Sequence, residues 1–432
     1  MAPLSPTSRR RRGFLPAALC ASIGTTIAAQ TPPENDGPYA AGSRTLSVPG
    51  RPGGNNSVTL QVWYPAQSAG ANAPIEPTAL PAPLVVFGHG FSLSAGLYDS
   101  LYRHLATHGF VVAGVATEEG LLTGNLPRFV NDFAATVTGM RAAASDPSSP
   151  FLGAVAADTR ANAAGHSFGG AAAIVAAADH PDLFASVTPM AATSTSPQGV
   201  DILGAARRLG VPVLHLGASA DTIVPPPQNL DPLFQATPGD SLLVEILGGN
   251  HSAFHERWAI DRLLEPPGSI SIAEQQRRIR RVWLPFLEWS LRDVTSRLDY
   301  LLGPTHRNDS GWSRSLARLT RGVLFGSGVP TLGSTFVLCP TRGVGDRALT
   351  FVAFGAGAGI STPFGEFRLD PTSTLVFADG VTGAGNFAPQ PLGIPTDPTL
   401  IGFTLWFQSL LPVGSAPTGG GELTDSLQVV VR

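Results

Sequence analysis

Gly165-His166-Ser167-Phe168-Gly169 fits the pattern G-x-S-x-G. That pattern marks a tight strand-to-helix turn, in which the glycines let backbone approach backbone and the serine hydroxyl projects into a cleft. In a chain with 49 glycines the bland reading is an ordinary glycine turn. Context argues for the sharper one: a strand-like Ala161 to Gly165 precedes, and an Ala-rich helix from Gly170 to Ala178 follows. A serine hydroxyl attacks a carbonyl only when a base takes its proton, and an imidazole base needs a third group to hold its tautomer and stabilise its cation. Asp221 lies in Ala218-Ser219-Ala220-Asp221 and His251 in Gly248-Gly249-Asn250-His251, each just beyond an apolar strand-like run. The order Ser, Asp, His is one in which such a trio can be carried on the successive loops of a parallel sheet, and the spacings of 54 and 30 residues leave room for intervening helices. The chemistry expected is acyl transfer to Ser167 and then to water. His255 competes as base, although it lies further into the helix-like Phe254 to Trp258. Asp231 and Asp240 compete as acids, and neither follows a convincing strand directly.

An oxyanion forming at the attacked carbonyl needs at least two backbone N–H donors. Phe168, directly after the serine, is one candidate. Phe91, in Gly88-His89-Gly90-Phe91 after the run Pro83 to Phe87, is the other, and the two rings would form an apolar cleft wall. His166 reads as tucked inside the turn, His215 as a hydrogen-bonded core residue, and His89 as a brace for the oxyanion loop. No His and carboxylate cluster has metal-ligand spacing, so neither a metal nor another cofactor is expected.

These residues need a scaffold of strands alternating with helices. Val58 to Tyr64, Pro83 to Phe87, Phe110 to Val115, Val211 to Leu216 and Leu242 to Leu247 read as strands. Tyr98 to His108 and the spacing of Phe129, Phe133, Val137 and Met140 predict helices. Ser271 and Glu274 stand at capping-box spacing before a long amphipathic helix that contains Pro285 and fades near Gly303. Its Arg277, Arg278, Arg280 and Arg281 fit a solvated face better than an anionic-surface site. The expected fold class is therefore α/β: a mostly parallel sheet with helices on both faces over 43–304. Residues 30–42 and 305–329 read as linkers. From Pro330 helix signals stop, and 330–432 is expected to be a small all-β, sandwich-like domain that is a candidate for binding a surface or polymer.

Composition narrows the partners. A net charge of −3 argues against nucleic acid. All 28 basic residues are Arg, which excludes lysine chemistry. Arg9 to Arg12, an apolar stretch from Gly13 to Ala29 and the small pair Ala28-Ala29 read as a signal peptide over 1–29, and Arg11-Arg12-Gly13-Phe14-Leu15 matches the twin-arginine pattern. Cleavage there would remove Cys20 and leave Cys339 without an intramolecular partner. No later run predicts a transmembrane anchor, so a secreted product, extracellular or periplasmic, is expected.

Over Val58 to Gly303 the chain resembles the bacterial cutinase and polyester hydrolase group of α/β-hydrolases, which includes poly(ethylene terephthalate) hydrolases and is related to dienelactone hydrolases. Chlorophyllases and platelet-activating-factor acetylhydrolases are more distant. The resemblance rests on Gly90-Phe91, His108-Gly109-Phe110-Val111-Val112, Gly165-His166-Ser167-Phe168-Gly169-Gly170, Asp221-Thr222-Ile223-Val224-Pro225 and Gly248-Gly249-Asn250-His251-Ser252. It implies hydrolysis of carboxylic esters, with Ser167 as nucleophile, Asp221 as acid, His251 as base, and Phe91 and Phe168 as oxyanion donors. The family commonly has Tyr where Phe91 stands, Met where Phe168 stands, and Trp about where Ala192 falls. Ala192 is thus the substrate-binding position at which an aromatic clamp would lose a wall, and the family's terminal disulfide is also missing. Short or medium acyl esters and aliphatic polyesters are the nearer substrate class. An amidase or a chlorophyllase- or lipase-like hydrolase with the same three residues remains open, as does an attachment protein with an inactive hydrolase region.

Overall fold

The computed structural model describes residues 31–432 apart from 122–123, 258, 342–346, 382–388 and 414–419, and the side chains of 413 and 420. The expected signal peptide, Cys20 and Trp258 lie outside the described residues. The ten-stranded main sheet is built from β1 (Ala40–Pro49), β2 (Ser57–Ala66), β3 (Gly70–Ala71), β4 (Leu84–Gly88), β5 (Val111–Val115), β6 (Ala161–His166), β7 (Phe184–Met190), β8 (Val213–Ala218), β9 (Ser241–Ile246) and β10 (Trp312–Arg318). Its order is β10-β9-β8-β7-β6-β4-β5-β2-β1-β3. The six strands from β9 to β5 run parallel to their neighbours, while β2 and β10 join antiparallel on either side.

Side chains alternate across each strand, and both faces are buried, so the central strands are apolar throughout. Leu84 and Val86 of β4 and Val111, Ala113 and Val115 of β5 pack with α2 (Leu126–Ser145), α3 (Phe168–Asp179), α4 (Ile202–Arg207) and α5 (Leu230–Ala236). Val85, Phe87 and Val112 point the other way, into a second cluster with α1 (Asp99–Thr107) and α6 (Ile272–Arg292). The Ser271 hydroxyl accepts from the Glu274 N–H at 3.1 Å, which caps α6. The helix continues through Pro285 but stops at Arg292, earlier than its composition suggests, because Asp293 turns left-handed (φ 53°). Three of the four arginines of its basic face are taken up in ion pairs. Arg277 pairs with Glu274 and Glu34, Arg278 with Glu274, and Arg281 with Glu34 and Asp309. Arg277 and Arg278 hold the Glu274 carboxyl down at about 2.

Two segments expected to be linkers are structured. In 305–329, the helix α7 (Pro304–Arg307) leads into β10, which pairs with β9 and extends the main sheet. Arg314 of β10 reaches Asp231 and Glu245, so its charges are partnered rather than solvated. In 30–42, β1 begins at Ala40, and Glu34 and Asp36 pair with arginines of α6 and α1.

Ten further strands follow among the described residues: β11 (Val323–Ser327), β12 (Thr335–Thr341), β13 (Arg347–Ala353), β14 (Ala356–Thr362), β15 (Gly365–Leu369), β16 (Leu375–Val381), β17 (Gln390–Gly393), β18 (Thr404–Val413), β19 (Gly420–Leu423) and β20 (Leu427–Val430). All their pairings are antiparallel, in a three-stranded sheet (β11-β12-β17), a five-stranded sheet centred on β13 and β18, and the hairpin β14-β15. Phe325 and the buried, free Cys339 join the apolar cluster under α6, so this region packs on the main sheet's own core. No helix of the described residues is long and apolar enough to cross a membrane.

Candidate active site

Ser167 sits between β6 and α3 with φ 55° and ψ −114°, a backbone conformation that costs a non-glycine residue about 1–3 kcal/mol. Close backbone packing holds it there. A Cβ on Gly169 would come within 2.1 Å of the Gly88 carbonyl oxygen, and one on Gly165 within 2.4 Å of Gly169. The two outer positions of the pentapeptide therefore admit only glycine. The Ser167 N–H donates to the Met190 carbonyl at 2.8 Å, tying the turn to the end of β7.

Asp221 and His251 arrive on the loops after β8 and β9, at the same edge of the parallel strands. The imidazole of His251 donates from Nδ1 to Oδ2 of Asp221 at 2.8 Å, and both side chains are buried. The other carboxylate oxygen of Asp221 accepts from the N–H groups of Ile223 (3.0 Å) and Val224 (2.7 Å). The carboxylate is thus fully partnered and fixed in orientation. The His251 ring lies 4.4 Å, centroid to centroid, from that of His166, the residue before Ser167. The competing candidates face elsewhere. His255 contacts Asp261 and the Arg257 carbonyl, Asp231 pairs with Arg314, and Asp240 accepts from Thr320.

One phenol connects the serine turn to the loop after β4. The Tyr98 hydroxyl accepts from the Gly90 N–H at 3.1 Å and donates to Nδ1 of His166 at 2.9 Å. Burial, with the His251 and His255 rings close by, drives the His166 titration far below its usual range, leaving a neutral ring. His89 contacts the Gly90 and Thr117 carbonyls at 2.9 and 2.7 Å, bracing the same loop, and His215 contacts Thr237 in the core. Among the described residues, neither the Phe91 nor the Phe168 N–H donates to another protein atom. Phe168 opens α3, where N–H groups lack intrahelical acceptors. The rings of Phe91 and Phe168 meet edge to face at 5.6 Å, and Phe91 is 42 % exposed. Ala192 is buried, with Gly170 of α3 close against it, so its methyl packs inward rather than forming an open wall.

The charged residue that sequence reasoning missed is Glu265. It lies in Arg262-Leu263-Leu264-Glu265-Pro266-Pro267, with no motif around it. Its buried carboxylate accepts from the Thr222, His251 and Ser252 N–H groups and from the Ser252 hydroxyl, at 2.9–3.1 Å.

An oriented imidazole beside a strained serine turn, with unengaged N–H groups on two adjoining loops, has the parts needed for acyl transfer. A search among curated proteins gives no match to the chain. A family model described as PET hydrolase-like matches residues 26–259, more than half of the sequence. The chain belongs to the PET hydrolase-like family and is an ester-hydrolysing α/β-hydrolase.

Proposed function

We propose that the chain is a secreted serine esterase acting through Ser167, His251 and Asp221. Ser167 Oγ attacks the ester carbonyl while His251 Nε2 takes its proton, and the Phe168 and Phe91 N–H groups receive the oxyanion. His251 returns the proton to the departing alcohol. A water deprotonated by the same imidazole then cleaves the acyl-enzyme and restores Ser167. Asp221 holds the tautomer that leaves Nε2 free and stabilises the imidazolium formed in each step. The observation that carries this reading is the buried Asp221–His251 hydrogen bond beside the serine turn. Phe91 and Phe168 favour an apolar acyl group, and the inward-packed Ala192 favours aliphatic over aromatic esters. Hydrolysis of p-nitrophenyl esters from acetate to dodecanoate tests it. Ser167→Ala should lower kcat by about 10⁴ or more. Full turnover in that variant would remove Ser167 from the mechanism.

The arginine-led leader supports action outside the cytoplasm. N-terminal sequencing of protein recovered from the medium or periplasm should begin near Gln30, and a retained Met1 would refute export by this leader. A second role, attachment to a polyester surface, is favoured by apolar side chains on the C-terminal strands. Phe354 (60 % exposed) and Phe403 meet edge to face at 6.0 Å. Phe354 also lines an apolar cavity of about 160 Å³ with Leu375, Phe377, Leu405 and Phe407. The occupant that fits is the substrate polymer itself, whose uncharged, largely apolar surface matches this lining.

A further inference from the structure

Glu265 is a buried carboxylate with no arginine paired to it among the described residues. Removing a carboxylate from water is costly, and only hydrogen bonds to its oxygens offset that cost when no cation is present. All four partners here are donors, and they come from two different loops. Oε1 takes the Thr222 N–H (3.1 Å), next to Asp221, and the His251 N–H (2.9 Å). Oε2 takes the Ser252 N–H (2.9 Å) and hydroxyl (3.0 Å). One side chain therefore bridges the residue after the acid and the backbone of the base. The loops also touch directly, through Ala220 N–H to the Gly249 carbonyl and Gly248 N–H to Ser219 Oγ, both 2.8 Å. Those contacts lie on the strand side of the pair. Glu265 closes the other side.

We infer that Glu265 is a positioning residue for ester hydrolysis, clamping the Asp221 and His251 loops together so that the hydrogen bond between them keeps its geometry. The inference rests on the serine esterase reading. The clamp acts on the transition state, because the Asp221–His251 bond must hold while the imidazole becomes charged, and misplacement of about 1 Å costs about 100-fold in rate. Substrate binding at the Phe91 and Phe168 wall does not depend on it.

The test is Glu265→Gln. The amide keeps the shape but replaces one acceptor oxygen with an NH2 group, which faces two N–H or O–H donors whichever way it turns. The expected result is kcat lowered about 10- to 100-fold with KM changed less than about threefold. The His251 Nδ1–H proton resonance, read by NMR without any substrate, should be displaced or broadened. A folded variant with unchanged kcat and an unchanged resonance would overturn the clamp, as would a raised KM with kcat intact. Should Glu265→Gln not fold, Ser252→Ala carries the same test by removing one of the four donors: kcat about threefold lower with the resonance displaced supports the clamp, and no change in either overturns it. Ser167→Ala run alongside separates the two ideas. Turnover surviving there removes the serine mechanism, while the resonance still reports on Glu265.

Discussion

The main sheet and the C-terminal strands handle apolar surface in opposite ways. Six parallel strands are covered on both faces, so Leu84, Val85, Val86 and Phe87 are all fully buried in consecutive positions. Where charge enters the catalytic end of that interior it is partnered, as in the Asp221–His251 pair and the four donors on Glu265. The C-terminal strands are antiparallel throughout and have a small core of Leu324, Phe336, Leu338, Phe407 and Val429. Phe354, Leu375, Val376 and Ile401 lie mostly exposed beside it. An antiparallel sheet can leave one face to solvent, where polar residues are the usual filling. The topology permits that exposed face, but its apolar side chains are a property of this sequence. One region uses apolar residues to hold a site, and the other displays them.

Acid should separate the two regions most strongly. All nine histidines precede residue 307, so none belongs to the C-terminal strands. Burial lowers His104 and His215 to about 3 and His108 to about 4. In the unfolded chain these rings take up protons near 6.5. Above that value both states are neutral and the groups cost nothing. As pH falls from 6.5 toward 4 the unfolded chain binds protons that the folded one refuses, so stability is lost through that window. His104 and His108 also hold the Pro33 and Asn35 carbonyls against α1, with their rings 4.8 Å apart. The midpoint of thermal unfolding should drop by about 5 °C or more between pH 7 and pH 4. Hydrogen exchange should lose protection first in α1 and residues 32–39, and last in β13 and β18. A flat melting profile, or earlier loss in β13, would break the contrast.

The same contrast explains what could be read from the sequence. The strands that lead to Ser167, Asp221 and His251 were legible because their runs are mostly apolar, broken only by single polar residues such as Asn162, His215 and Glu245, and a strand buried on both faces can be written in few other ways. The helix α6 was legible from Ser271 and Glu274 and its apolar stripe. Strand β10 was not, because Ser313, Arg314, Ser315 and Arg318 make an edge strand look like a solvated linker until Glu245 and Asp231 are seen opposite Arg314. The hairpin β14-β15 hides in Ala356-Gly357-Ala358-Gly359, whose residues have little side chain to alternate. Glu265 was illegible for a different reason. Three of its four donors are backbone N–H groups, which carry no residue identity, and all lie 13 to 43 positions away. A site's nucleophile, base and acid leave a signature in residue types, whereas the groups that hold its loops do not.

The smallest expected effect bears on the displayed surface. Phe354 and Phe403 contact each other, yet Phe354 lies largely outside the core, and surface substitutions usually change stability by no more than about 0.5 kcal/mol. The paired change Phe354→Ser and Phe403→Ser should leave kcat on p-nitrophenyl butyrate within about twofold of the parent, since neither ring belongs to the Ser167 site. Adsorption to an aliphatic polyester film, read as protein depleted from solution, should fall several-fold, because the apolar area available to leave water shrinks. Release of product from the film should fall with adsorption while soluble turnover holds. If adsorption is unchanged and film hydrolysis persists, the exposed rings are not the contact, and the polymer meets the enzyme through the Phe91 and Phe168 wall alone. The two regions would then differ in packing without dividing the work between them.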